Sequence, residues 1–82
     1  EGLKALSARV VRAAPNDVQA HEMRASVLSG RCAGWEAGPR SAAELKEAAT
    51  QYERAVVLHP APAMKVEFAG QAAWCRRKAE AM

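Results

Sequence analysis

The sequence predicts an all-α domain of four helices, on three observations. First, alanine fills 20 of the 82 positions, and it is the residue with the best intrinsic helix propensity. Second, the β-branched residues favoured in strands amount to seven Val and one Thr, with no Ile. Third, apolar residues recur with helical periodicity in four stretches, separated by proline, glycine and capping residues. Eighty-two residues make one domain at most, at the small end of what folds alone. Because most apolar side chains are single methyls, worth roughly 0.8 kcal/mol per buried CH₂, the core is thin.

The first helix is expected over about 2–14, with Leu3, Leu6, Val10 and Ala13 or Ala14 inward. Pro15 ends it, since proline lacks the N–H and disfavours helical geometry in the residue before it. The second is expected over 18–29, capped by Asn16 or Asp17. Val18, His21, Ala25 and Leu28 share one side of it, with Met23 and Val27 on the flank. Gly30 is its stop. Residues 30–40, with three glycines and a proline, read as a long loop. Ser41-Ala42-Ala43-Glu44 then spells a capping box, the strongest start signal in the chain. The third helix, 42–59, turns Leu45, Ala48, Tyr52, Ala55 and Leu58 inward and stops at Pro60. Pro62 suits the first turn of a fourth helix, 62–80. That helix carries Met64, Phe68, Ala72, Cys75 and Ala79 along one stripe. Beside it runs a smaller-residue stripe, Val66, Ala69, Gly70 and Ala73. Glycine inside a helix costs ~1 kcal/mol relative to alanine, so Gly70 implies close contact with another helix. A free-standing four-helix bundle is the alternative architecture.

The third helix reads Ala48-x3-Tyr52-x2-Ala55-x4-Pro60, and this resembles the second helix of a tetratricopeptide repeat (TPR). The first helix gives a weaker echo, with Leu3, Ser7 and Val10 ahead of Pro15. Ala25 and Gly70 each lie ten residues beyond their proline, so the stretches that follow are in register with the family's first helix. The resemblance implies stacked antiparallel helical hairpins: a last half-repeat, one full repeat and a first half-repeat. Pro15 to Pro60 spans 45 residues against about 34 in the family, and the 30–40 loop accounts for the excess. The family's aromatic and leucine in the first helix are replaced by His21 and Arg24. Starting at Glu1 without an initiator Met, the chain is expected to be a fragment of a larger protein.

The charge is +3 with a pI near 9.2, but the cations run from Lys4 to Lys78 among nine carboxylates. That mixture makes nucleic acid an improbable partner, although Arg9, Arg12 and Arg76-Arg77-Lys78 keep a basic surface for nucleic acid or another acidic partner as the alternative. No apolar run approaches the ~20 residues that cross a bilayer, so no membrane span is expected. Glu1-Gly2-Leu3-Lys4 lacks a signal peptide's charged-then-apolar order. Two cysteines without CxxC spacing suggest a reduced compartment, cytoplasmic or nuclear.

No nucleophile elbow, phosphate loop or short-range Cys-His pair is present, so the expectation is a non-enzyme without cofactor. His21, Cys32, His59 and Cys75 are metal-ligand types, but intervals of 11, 27 and 16 residues contain no paired short spacing. The expected roles are packing for His21, a favourable charge at a helix end for His59, and small apolar filling for the cysteines. A Cys32–Cys75 disulfide remains conceivable from their similar places after the two prolines. The resemblance to TPR proteins implies a protein–protein interaction module or scaffold that binds a partner segment on the exposed face of its first-type helices. Carried to this sequence, that face is Gln19, Glu22, Ser26 and Ser29, then Met64, Glu67, Gln71 and Trp74. Glu22 and Glu67 stand where the family's carboxylate-gripping subset needs cations, so no clamp for a partner's C-terminal carboxylate is expected. Arg31, Trp35 and Arg40 make the loop an alternative surface. Self-association is a further expectation, through end faces left open by half-repeats.

Overall fold

The computed structural model describes residues 2–30 and 41–82. Its elements are α1 (Leu3–Ala13), α2 (Val18–Ser29), α3 (Ala42–Leu58) and α4 (Pro62–Glu80), with no strand among the described residues. Each boundary falls within a residue of the one the sequence signals, because the local chemistry acts as expected. Asp17, rather than Asn16, caps α2 by accepting from the Gln19 N–H at 2.9 Å. Gly30 closes α2 in the left-handed region, φ 79°, which glycine adopts without the usual Cβ clash. At α3 both halves of the capping box are formed: Ser41 Oγ accepts from the Glu44 N–H at 3.0 Å, and the Glu44 carboxylate accepts from the Ser41 N–H at 2.9 Å. Pro62 occupies the first turn of α4.

Each helix packs on the next in sequence, α1 on α2, α2 on α3 and α3 on α4, an order that fits a run of hairpins or a helical bundle. The core sits at the α2–α3–α4 end. Ala25 and Leu28 meet Ala48, Ala49, Tyr52 and Ala55, and these meet Phe68, Ala72 and Cys75. Five of these nine residues are alanines, and they let the helix axes come close. The Tyr52 and Phe68 rings stack with centroids 6.2 Å apart, and His59 presents its ring edge-on to Phe68 at 5.8 Å.

The α1 end is held differently, by polar contacts. Arg24 donates from Nη1 to the Lys4 carbonyl at 2.6 Å and to Ser7 Oγ at 3.1 Å, and from Nε to Glu47 at 3.1 Å. Lys4 Nζ meets the Glu44 carboxylate at 2.5 Å, tying α1 to the start of α3. His21 donates from Nε2 to the Pro15 carbonyl at 2.6 Å, and its Nδ1 meets the Gln51 side-chain amide at 2.5 Å.

Several expectations are corrected here. Helix α1 does not turn Leu6 inward; it is exposed, and Ser7 is fully buried instead, while of Ala13 and Ala14 it is Ala14 that is half-buried. The reason is Arg24, whose guanidinium needs the Ser7 hydroxyl and the Lys4 carbonyl and so sets the rotation of α1. Val27, expected on a flank, is buried. Gly70 has no close helix neighbour: a Cβ built there meets no atom within 4 Å. His59 also serves the turn into α4, its Nδ1 taking a hydrogen bond from the Ala61 N–H at 3.0 Å. Cys75 is buried in the core, while Cys32 lies outside the described residues. No described helix is long and apolar enough to cross a membrane.

Candidate functional site

The face expected to bind a partner is carried by α2 and α4, the two helices that flank α3. Their buried sides are fixed by the core: Ala25 and Leu28 point one way from α2, and Phe68, Ala72 and Cys75 point inward from α4. Helical spacing then places the remaining residues on the rim or in solvent. Gln19, Glu22 and Glu67 are exposed, and Ser26, Met64, Gln71 and Trp74 are half-buried.

Ser29 does not belong to this face. It is only 5 % exposed and donates from Oγ to the Ser26 carbonyl at 3.3 Å, inside its own helix. Position 29 falls three residues after Ser26 but next to Leu28, and the last turn of α2 is drawn against the core. Arg31, Trp35 and Arg40, the alternative loop surface, lie outside the described residues.

Val18 of α2 and Met64 and Trp74 of α4 pack against the same apolar cluster, so the cluster has a partly exposed rim with one aromatic on it. Lys78 Nζ stands 5.0 Å from the Trp74 ring centroid, a cation–π distance. Glu22 and Glu67 supply negative charge on the exposed side. The basic residues elsewhere are partly neutralised: Arg76 donates to both Glu53 carboxylate oxygens, from Nε at 3.1 Å and Nη2 at 2.7 Å, and Lys4 is paired with Glu44. The Glu53 carboxylate holds the Arg76 guanidinium even more firmly protonated than usual.

Neither histidine offers a bare pair of ring nitrogens, since both nitrogens of His21 and Nδ1 of His59 are hydrogen-bonded. Among the described residues no three His, Cys, Asp or Glu side chains stand close enough to hold a metal ion. Among the described residues, the carboxyl drawn furthest from its ordinary range belongs to a structural group, Glu44. Lys4 and the Ser41 N–H hold its carboxyl at about 2, well below the ordinary 4.5. Sequence reasoning assigned Glu44 to its cap, but the Lys4 contact needed α1 and α3 to be brought together. Comparison of the chain with protein-family models, curated proteins and solved structures gives no match.

Proposed function

We propose that this chain is a non-catalytic protein-interaction module of TPR-like build, which holds a partner segment across the rim formed by α2 and α4. One observation carries the reading: Met64 and Trp74 of α4 are half-buried on the core, while Glu67 of the same helix and Glu22 of α2 stand exposed. Half-buried aromatics anchored on a rigid core are the residues that carry binding energy at protein interfaces. The neighbouring carboxylates favour a peptide with apolar anchors flanked by Lys or Arg, and disfavour one ending in a free carboxylate beside acidic residues. The working compartment under this reading is the cytoplasm or nucleus. The pairing of Lys4 and Arg76 with carboxylates favours a protein partner over nucleic acid.

Fluorescence anisotropy tests this with a panel of labelled peptides, apolar-basic against acidic-tailed, plus a single-stranded oligonucleotide, at low and high salt. The expected result is selective binding of apolar-basic peptides that survives high salt and weakens by about tenfold or more in Trp74→Ala. Tight oligonucleotide binding that collapses with salt and ignores Trp74→Ala would replace this reading with the basic-surface one.

A further inference from the structure

The hairpin of α2 and α3 has two unfinished halves elsewhere in the molecule. Pro15 and Pro60 lie 45 residues apart, and this offset carries α1 onto α3 and α2 onto α4. Helix α2 is packed on both sides, by α1 and by α3. Helix α4 has α3 as its one extensive neighbour among the described residues.

The open side of α4 borders a cleft of about 290 Å³ lined by Glu53, Val56, Ala69, Ala72, Ala73 and Arg76. Moving three of these, Val56, Ala72 and Ala73, back by the same offset gives Val11, Val27 and Leu28. There the surface is covered: Val27 and Leu28 are each 2 % exposed, and Leu28 shares its cluster with Ala48 and Tyr52 of α3. The cleft at α4 is thus the place where, one offset earlier, a helix of the α3 kind lies. Helix α1 is the other helix of that kind, and its corresponding side is open.

The contacts across the internal α2–α3 interface show what such a pairing brings together. His21 meets Gln51 at 2.5 Å; the offset puts Val66 in place of His21 and Leu6 in place of Gln51. Arg24 pairs with Glu47 at 3.1 Å; the offset puts Ala69 and Gly2 in their places. Each polar pair is replaced on both sides at once, the hydrogen-bonded pair by two apolar side chains and the ion pair by two uncharged residues. Neither replacement strands a charge, and Glu53 and Arg76, which line the cleft, are already paired with each other. Val66 at 74 % exposure and Leu6 at 37 % are two of the four large hydrophobics left exposed among the described residues.

The geometry points to a second copy of this chain as the occupant: α1 of one molecule docks on the open face of α4 of the next, completing a hairpin built like α2–α3. This contact joins two different surfaces, so each added copy offers a fresh α4 and growth is open-ended rather than closed at a dimer. The peptide rim on α2 and α4 is a separate surface, and neither reading depends on the other.

Sedimentation velocity of the full chain across a concentration series tests the proposal. The wild type is expected to give dimers, trimers and longer species in succession. Val66→Glu and Leu6→Glu are each expected to weaken assembly by about tenfold or more, the effect of losing a Val- or Leu-sized buried contact and burying a charge. Circular dichroism checks that both keep their helicity, and Leu6→Gln, which installs the residue α3 has at that position, replaces Leu6→Glu if it does not. An equimolar mixture of the two variants has one sound face on each partner, so it is expected to form a 1:1 dimer that grows no further. A wild type that stays monomeric up to roughly 1 mM, the weak end of specific association, overturns the proposal. So does a closed dimer sensitive to Val66→Glu and indifferent to the Leu6 variants, which is the signature of α4 pairing with itself. The Val66→Glu monomer binding peptide as the wild type does would leave the rim reading standing whatever the assembly result.

Discussion

Replacing Gly70 by alanine should stabilise this protein, and the size of the gain is set by where Gly70 sits. It lies mid-helix in α4 and exposed, and an added Cβ meets no atom within 4 Å. There is therefore no steric loss to set against the helix-propensity gain of about 0.8–1.0 kcal/mol, which comes from the smaller backbone entropy of the unfolded alanine chain. For a domain of this size total stability is on the order of 4–12 kcal/mol, so the change is a visible fraction. It corresponds to a rise in Tm of about 4–8 °C. Thermal and urea unfolding followed by circular dichroism, at concentrations where the chain is monomeric, provide the measurement. The urea m-value should not change, because no surface is added or removed on unfolding beyond one methyl. Gly30→Ala is the matched control. At φ 79° a Cβ is strained, so the same substitution there should destabilise by about 1 kcal/mol. A loss of stability in Gly70→Ala would mean that the α4 face is packed within the monomer, and would refute the open-face description.

Two further substitutions probe the polar end of the molecule. Because the Glu44 carboxyl is held at about 2 against an ordinary 4.5, its contribution is complete above about pH 5 and is lost as the pH falls toward 2. Lys4 is 43 % exposed, so solvent screening limits that contribution to roughly 1 kcal/mol. Glu44→Gln, which keeps the cap geometry without the charge, should flatten the stability profile measured by thermal melts between pH 5 and pH 2.5; an unchanged profile would show that the Glu44 charge, held by Lys4 and the Ser41 N–H, contributes nothing. Arg24→Leu, which installs an apolar side chain in a position that the α2 helix shares with its core face, should nonetheless cost about 1–2 kcal/mol. It removes one hydrogen bond each from the Lys4 carbonyl and the buried Ser7 hydroxyl, which keep their bond to each other, and releases the exposed Glu47 to solvent. A double-mutant cycle with Ser7→Ala should show a coupling of about 0.5–2 kcal/mol, and strict additivity would mean that the two groups do not interact.

The number of helices and their ends were legible in the sequence because they rest on local chemistry. Proline at 15, 60 and 62, the Ser41–Glu44 box and glycine at 30 act within a turn of their own position. The inward stripe of α4 and the core face of α3 were legible for the same kind of reason. A long periodic pattern has one apolar side, and Phe68, Ala72, Cys75, Ala48 and Tyr52 are all buried. The candidate face was legible only in part. Gln19, Glu22 and Glu67 are exposed as spacing requires, but Ser29 turned inward, since neighbouring positions at a helix end divide between core and solvent according to how the next helix lies.

What the tertiary structure alone decided is where polar groups replace apolar ones. In α1, Leu6 and Val10 give the stronger hydrophobic signal, yet Ser7 is the buried residue because the Arg24 guanidinium, arriving from α2, needs its hydroxyl. His21 and Arg24, which depart from the expected apolar pattern, became the hydrogen-bonded ties to the Pro15 turn and to α1 and α3. Periodicity ranks residues by their wish to leave water. It cannot see a partner 17 or 30 residues away that makes burial of a hydroxyl or an imidazole favourable. The exposure of Val66 and Gly70 has the same origin: their stripe is apolar in sequence, but whether it is covered depends on which helix lies beside α4.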